Sequence, residues 1–302
     1  MCLYSARHIL ISGSCKCETG AEHASLINIE YLASDRSKLR TISITSDGKS
    51  WRGEALVRLM FKHWLNLDSP IYDMLHVLPL IYMEVGNDDL TADNDYKHVF
   101  KQHRNLLLWD KGCEVHGIHV QPSVIHSHLT SNDLTQIWIE YLLHPNNWHH
   151  VKLAYDMLYE VWSLPDASPN TLPGFHQVWR SFKILGSLFW YILNPYICID
   201  LSLSEQLVHL SVAAHLLLAL FSEDQAMTNL MPTQLYVDIM IMIRNAYFCI
   251  TKTKVDDPNG NFWIILLGTD CLEVLYGILC TMVRNDANLD VLQLGLCLTG
   301  TT

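Results

Sequence analysis

Apolar and polar positions recur along this chain with two different rhythms. Over residues 1–111, short β-branched runs alternate with stretches of helical spacing. HILISG (8–13) is a strand-like run followed by the helix pattern AEHASLINIEYLAS (21–34), and LRTISIT (39–45) followed by GEALVRLMFKHWL (53–65) repeats the pair. LPLIYMEV (78–85) is a third apolar run, and a helix from about Tyr96 to Leu108 closes the series. Strand–helix alternation of this kind predicts an α/β sheet with crossover helices.

From Gly112 the pattern turns helical and is expected to stay so to residue 262. VIHSHL and LTQIWIEYLLH lead in. WHHVKLAYDMLYEVWSL (148–164), FHQVWRSFKILGSLFWYIL (175–193), LSEQLVHLSVAAHLLLALFSE (203–223) and PTQLYVDIMIMIRNAYFCITK (232–252) follow. Their spacing predicts a core built on Trp179, Phe182, Leu185, Phe189, Leu216, Leu220, Ile239 and Ile243. The turn DDPNGN (256–261) precedes a last helical segment, residues 262–286, with a break at Gly268. The predicted organisation is therefore an α/β part (1–111), an all-helical part (112–262) and closing helices (263–302).

The composition, 50% hydrophobic and 17% charged over 302 residues, is that of a globular protein. A formal net charge of -11 argues against nucleic-acid binding by bulk charge, so any such binding needs a local basic patch. The nine cysteines stand singly apart from Cys15 and Cys17, with no zinc-knuckle spacing, which fits a reducing, intracellular compartment. The N-terminus lacks the pattern of a signal peptide. ILGSLFWYILNPYICI and LVHLSVAAHLLLALF fall short of a clean spanning segment, interrupted by Asn194, Pro195 and His209; they are expected to be buried core helices, with no membrane partner.

The sequence offers one candidate for such a patch. In DNDYKHVFKQHRN (93–105) the acids Asp93 and Asp95 precede Lys97, His98, Lys101, His103 and Arg104. Acids at a helix N-terminus and bases further along suit the macrodipole. They equally suit a carboxylate that holds a metal beside bases that hold phosphates. Asp95 stands where a strand would end, the edge at which α/β sheets gather functional residues. GTDCLEVLYGIL places Asp270 and Glu273 three apart on one helix face, again open to the dipole reading. His126 and His128, with His116 and His119 nearby, have no acid or Cys partner at ligand spacing and are expected in an exposed loop. SGSCKCETG lacks the Lys-Ser/Thr ending of a phosphate loop.

DYKHVFKQHRNLLL resembles the Asp-x-x-His-x-x-Lys-x-x-Arg-Asn segment of P-element/THAP-type DDE transposases, and GTDCLEVLYGILCTMVRNDAN resembles the Asp-x-x-Glu helix near the end of their catalytic core. Over nearly its whole length the chain is also similar to transposase-like proteins of mushroom-forming fungi. The resemblance implies a partial RNase H-like sheet with crossover helices, interrupted by a large helical insertion. It makes Asp95 the second catalytic carboxylate, Glu273 the last and Asp270 an auxiliary acid, with Asp95 and Glu273 converging on Mg2+ or Mn2+. Lys97, Lys101 and Arg104 would follow DNA phosphates. Two-metal phosphodiester chemistry needs such hard oxygen ligands. No GTP site is expected, since residues 112–262 carry no nucleotide motif.

The same resemblance places the family's first catalytic Asp and its strand upstream of residue 1, along with the zinc-binding DNA-recognition module, and the family's tail beyond TGTT. Asp47 is the candidate substitute for the first acid, and Cys280 stands where the family usually has Arg. The expectation is a truncated, catalytically inactive transposase-derived protein, nuclear if it serves as a transposase relative. Its partners would be DNA, an intact relative or itself. The alternatives are a helical protein-interaction module or regulator, and an active metal-dependent transposase or endonuclease.

Overall fold

A computed structural model describes residues 19–36, 41–46, 50–146, 150–167, 172–223 and 225–282. The predicted strand at 8–13 and Asp47 lie outside them. The chain forms two compact units, one made of residues up to Asp93 together with those from Leu266, the other of Asn94–Ile265.

In the first unit α1 (Gly20–Arg36) packs on α2 (Ser50–Met60), with β1 (Ser43–Ser46) between them in sequence. Thr19 and Glu22 fix the start of α1 reciprocally: Glu22 accepts the Thr19 N–H at 2.8 Å while the Thr19 hydroxyl accepts the Glu22 N–H. The predicted helix 53–65 stops early, at Met60. The Lys62 N–H donates instead to Val85 O and the Leu65 N–H to Met83 O, pairing β2 (His63–Trp64) antiparallel with β3 (Glu84–Val85). Gly86 permits this turn of chain, because a Cβ there would lie 2.4 Å from Leu59 O. Of the apolar run 78–85 only Met83, Glu84 and Val85 take part in the pairing; Leu80, at φ 64, breaks the extension after Pro79. The short α3 (Tyr72–Leu75) lies between β2 and β3 in sequence.

β4 (Thr91–Asn94) pairs with β1. The Thr91 hydroxyl donates to Ile42 O and the Thr45 hydroxyl to Asp93 Oδ2, so the two strands advance in the same direction, as crossover connections require. α12 (Asp270–Met282) closes this unit and follows the break at Gly268, whose φ is 139.

The second unit is mostly helical: α4 (Tyr96–Leu107), α5 (Pro122–Ser131), α6 (Gln136–Leu142), α7 (Val151–Trp162), α8 (Pro173–Ile197), α9 (Leu203–Phe221), α10 (Ala226–Asn229) and α11 (Thr233–Asp256). It is not helical throughout, as the pattern predicts. Residues 113–120 form a hairpin of β5 (Cys113–Val115) and β6 (Ile118–Val120), turned by His116 and Gly117, both at positive φ. That is the type I′ chemistry favoured for two-residue hairpin loops. Of the predicted core, Phe182, Leu185, Phe189, Leu220, Ile239 and Ile243 are buried, while Trp179 and Leu216 are half-buried at the helix margins.

α8 crosses α7 at Gly186, where a Cβ would meet the Trp162 Cα at 2.8 Å, so only glycine allows the approach. The expected exposed His loop is part of α5, and His128 is buried against Phe175 and Phe182. α9 also departs from expectation. It buries Leu210, Ala213, Leu217 and Leu220 on one face, but only 22% of its most apolar window is buried. By length and composition alone it is long and apolar enough to cross a membrane.

Candidate functional site

The corner between β4 and α4 carries three successive polar residues, all buried, and each has a separate role. Asp93 accepts from the Thr45 hydroxyl. Asn94 points to α11, where its amide donates to Asp238 Oδ1 at 3.2 Å and to Asp238 O. Asp95, 3% exposed, is the N-cap of α4, and its Oδ1 accepts the Lys97 N–H at 2.8 Å. A strand must end and a helix begin here, and Asp is among the residues best suited to satisfy the first free N–H groups. The strand-end position read from the sequence is therefore where Asp95 stands, and the carboxylate supports its own helix.

The basic side chains of α4 divide by face. Lys97 and Lys101 are half-exposed. Arg104 is not a surface group: it is 1% exposed, and its Nη2 donates to Leu142 O at 3.0 Å and to His144 O at 2.7 Å, closing the end of α6. This corrects its assignment to DNA phosphates, because a guanidinium committed inward to two carbonyls cannot also meet solvent. Burial lowers its pKa. His103 is fully buried, edge-on to Phe189, and burial pushes its pKa down to about 4. Among the described residues neither of its ring nitrogens has a hydrogen-bond partner.

Asp270 begins α12 and is half-exposed; Glu273, one turn later, is exposed. Both sit in the first turn, where the dipole favours acids. They belong to the first unit, whereas Asp95 belongs to the second. Among the described residues no three His, Cys, Asp or Glu side chains are grouped to hold a metal ion.

One acid was not singled out from the sequence. Asp238 is 3% exposed and receives the Asn94 amide and, at 2.7 Å, the Gln234 amide; burial pushes its pKa up to about 6. Its signal was present: a lone acid in TQLYVDIMIMI, followed at intervals of seven by Asn245 and Lys252, both buried. Polar groups at helical period inside an apolar helix mark an inward polar stripe.

The chain is similar in structure to a chain of the Drosophila P element transposase strand transfer complex. The TM-score is 0.59 at 16% identity, over 91% of this chain and 62% of that one. The likeness is one of fold, and the chain spans less than two thirds of that protein's chain. No protein-family model matches the sequence, and no curated protein matches it.

Proposed function

We propose that this chain is a transposase-derived protein that keeps the P-element fold and the Asp95 corner, binds DNA weakly and does not cut it. The observation that carries the reading is the pairing of that fold with an acid at the end of β4 and two lysines on the helix beyond it. In the full reading Asp95 and Glu273, with Asp270 beside them, are what remains of a two-metal site, and Lys97 and Lys101 bind phosphates.

The chemistry limits such a site. In-line displacement needs two ions held in register to activate the attacking oxygen and stabilise the leaving one. Asp95 already commits Oδ1 to the Lys97 N–H as the cap of α4. With Mg2+ or Mn2+ and supercoiled DNA, the expected result is no nicking or joining above background, with or without Glu273→Gln. Robust cleavage abolished by Glu273→Gln or Asp95→Asn would overturn this, and Asp47 would then be the next acid to test. An experimental structure with the Asp95 and Glu273 carboxylates more than about 10 Å apart would exclude a shared two-metal site. DNA binding is tested separately by its salt dependence. Removing one phosphate-binding lysine, by Lys97→Ala or Lys101→Ala, should make the log–log slope shallower by roughly 0.9.

A further inference from the structure

We infer that Asn259 is a self-modifying residue, whose side chain cyclises onto the Gly260 nitrogen and reopens as aspartate or isoaspartate while the chain is folded. The turn DDPNGN holds the only Asn–Gly pair in the sequence. Cyclisation is easiest at such a pair, because the residue that supplies the nitrogen has no Cβ to hinder it and a free choice of backbone angles. The pair alone does not decide the matter. A folded chain can clamp an asparagine so that it never reaches its neighbour's nitrogen, and the structure shows whether it does.

Here it does not. α11 ends at Asp256, and residues 256–261 are all exposed. The Gly260 N–H donates to Asp257 O at 3.0 Å, closing a turn with Pro258 and Asn259 at its centre; Asn259 is outside the left-handed region, so the turn is of type I. That bond is the brake on the reaction. It is a single exposed hydrogen bond outside any helix or strand, the kind that opens at little cost. Nothing among the described residues bonds the Asn259 side-chain amide. Asn94 and Asn229 differ: their amides are held by Asp238, and by Glu114 and Gln225. The Asp257 carboxylate lies against Gly260, with Oδ2 2.5 Å from where a Cβ would be. A proton acceptor therefore stands close to the nitrogen that must lose its proton.

The step needs only water. The deprotonated Gly260 nitrogen bonds to the Asn259 Cγ, and the bond from Cγ to the amide nitrogen breaks, releasing ammonia. Water then opens the cyclic imide. Attack at the side-chain carbonyl gives aspartate, and attack at the main-chain carbonyl gives isoaspartate, in which the chain runs on through the side-chain methylene. An amide and water have become a carboxylate and ammonium. The product adds a carboxylate just after Asp256 and Asp257 at the C-terminal end of α11, where the helix dipole disfavours negative charge. The isoaspartate form also lengthens the main chain, shortly before it passes at Leu266 from the second unit into the first.

The full chain, held folded at body temperature in mildly alkaline buffer and sampled by peptide mass spectrometry, should convert Asn259 before any other asparagine. Enzymatic methyl transfer to isoaspartate should label the same peptide. Gly260→Ala should slow the conversion roughly tenfold, because a Cβ hinders the attacking nitrogen, and should leave the circular-dichroism melt unchanged, since the exposed Asp257 side chain can swing aside for the methyl group. Conversion no faster at Asn259 than at other asparagines overturns the proposal, as does a rate indifferent to Gly260→Ala. An Asn259 that stays intact in the folded chain and converts only in urea also overturns it, since the turn would then protect the residue.

Discussion

α9 and α11 lie side by side in the same unit and invert each other. α9 is free of charge between Gln206 and Ser222, yet shows much of its surface to solvent; α11 carries Asp238, Arg244 and Lys252, and all three are buried. Mean hydropathy ranks α9 as the interior helix, and the fold does not follow it. Burial is set by which face meets a neighbour, and α11 packs against α4 as well as α9, with Asn94 reaching its Asp238. Ionisable groups go inside when partners are waiting there. The Tyr247 hydroxyl donates to Leu207 O at 2.7 Å and fixes the register between the two helices.

The contrast can be broken most forcefully within α9 itself. Leu217→Ala, on the inner face at 0% exposure, should destabilise by about 2–5 kcal/mol. Val208→Ser on the outer face should change stability by less than about 0.5 kcal/mol. Paired urea titrations measure both, and equal effects would mean that α9 has no distinct inner face.

Buried ionisable groups should show as pH dependence. The pKa of His103 falls from 6.5 to about 4 on folding, so the unfolded chain takes up a proton that the folded one refuses. Its contribution is intact above pH 6.5 and is lost as the pH falls to about 4, on the order of 3 kcal/mol in total. His103→Leu should remove that dependence and, because no hydrogen-bond partner is left behind, stabilise the fold at neutral pH.

Asp238 acts in the opposite sense and more weakly. Its pKa rises from 3.8 to about 6, so its contribution is fully present below 3.8 and lost as the pH rises through 6. Asp238→Asn keeps an oxygen to accept from Asn94 and removes the charge. It should raise stability at pH 7 by about 1–2 kcal/mol and leave it unchanged at pH 3.5. A loss at pH 7 would show that a cation inside the unit depends on this carboxylate.

The sequence made the long helices legible, since α7, α8, α9 and α11 repeat apolar residues with a period that needs no distant partner to be recognised. It also made Asp95 legible as the residue after a strand. What it concealed depends on pairings between remote residues. α2 ends at Met60 because Lys62 pairs with Val85, although the apolar spacing runs on to Leu65. Arg104 reads as a phosphate-binding group until the carbonyls of Leu142 and His144 are seen to take it. The β5–β6 hairpin was written locally, in alternating CEV and IHV around His116 and Gly117, but strands of three residues are too short for periodicity to distinguish from a loop.

The interruption of the first unit between Asp93 and Leu266 has a consequence for how the chain is made. A ribosome adding about 5–20 residues per second emits the whole of Asn94–Ile265 over roughly 10 to 30 s before α12 leaves the exit tunnel. The helical unit is complete and can fold during that interval, while α1, α2 and the strands beside them wait for their last helix. Stalled nascent chains ending shortly after residue 300 of an extended transcript should resist protease across residues 94–265 sooner than across residues 19–93. The expected order of assembly therefore runs from residues 94–265 outward.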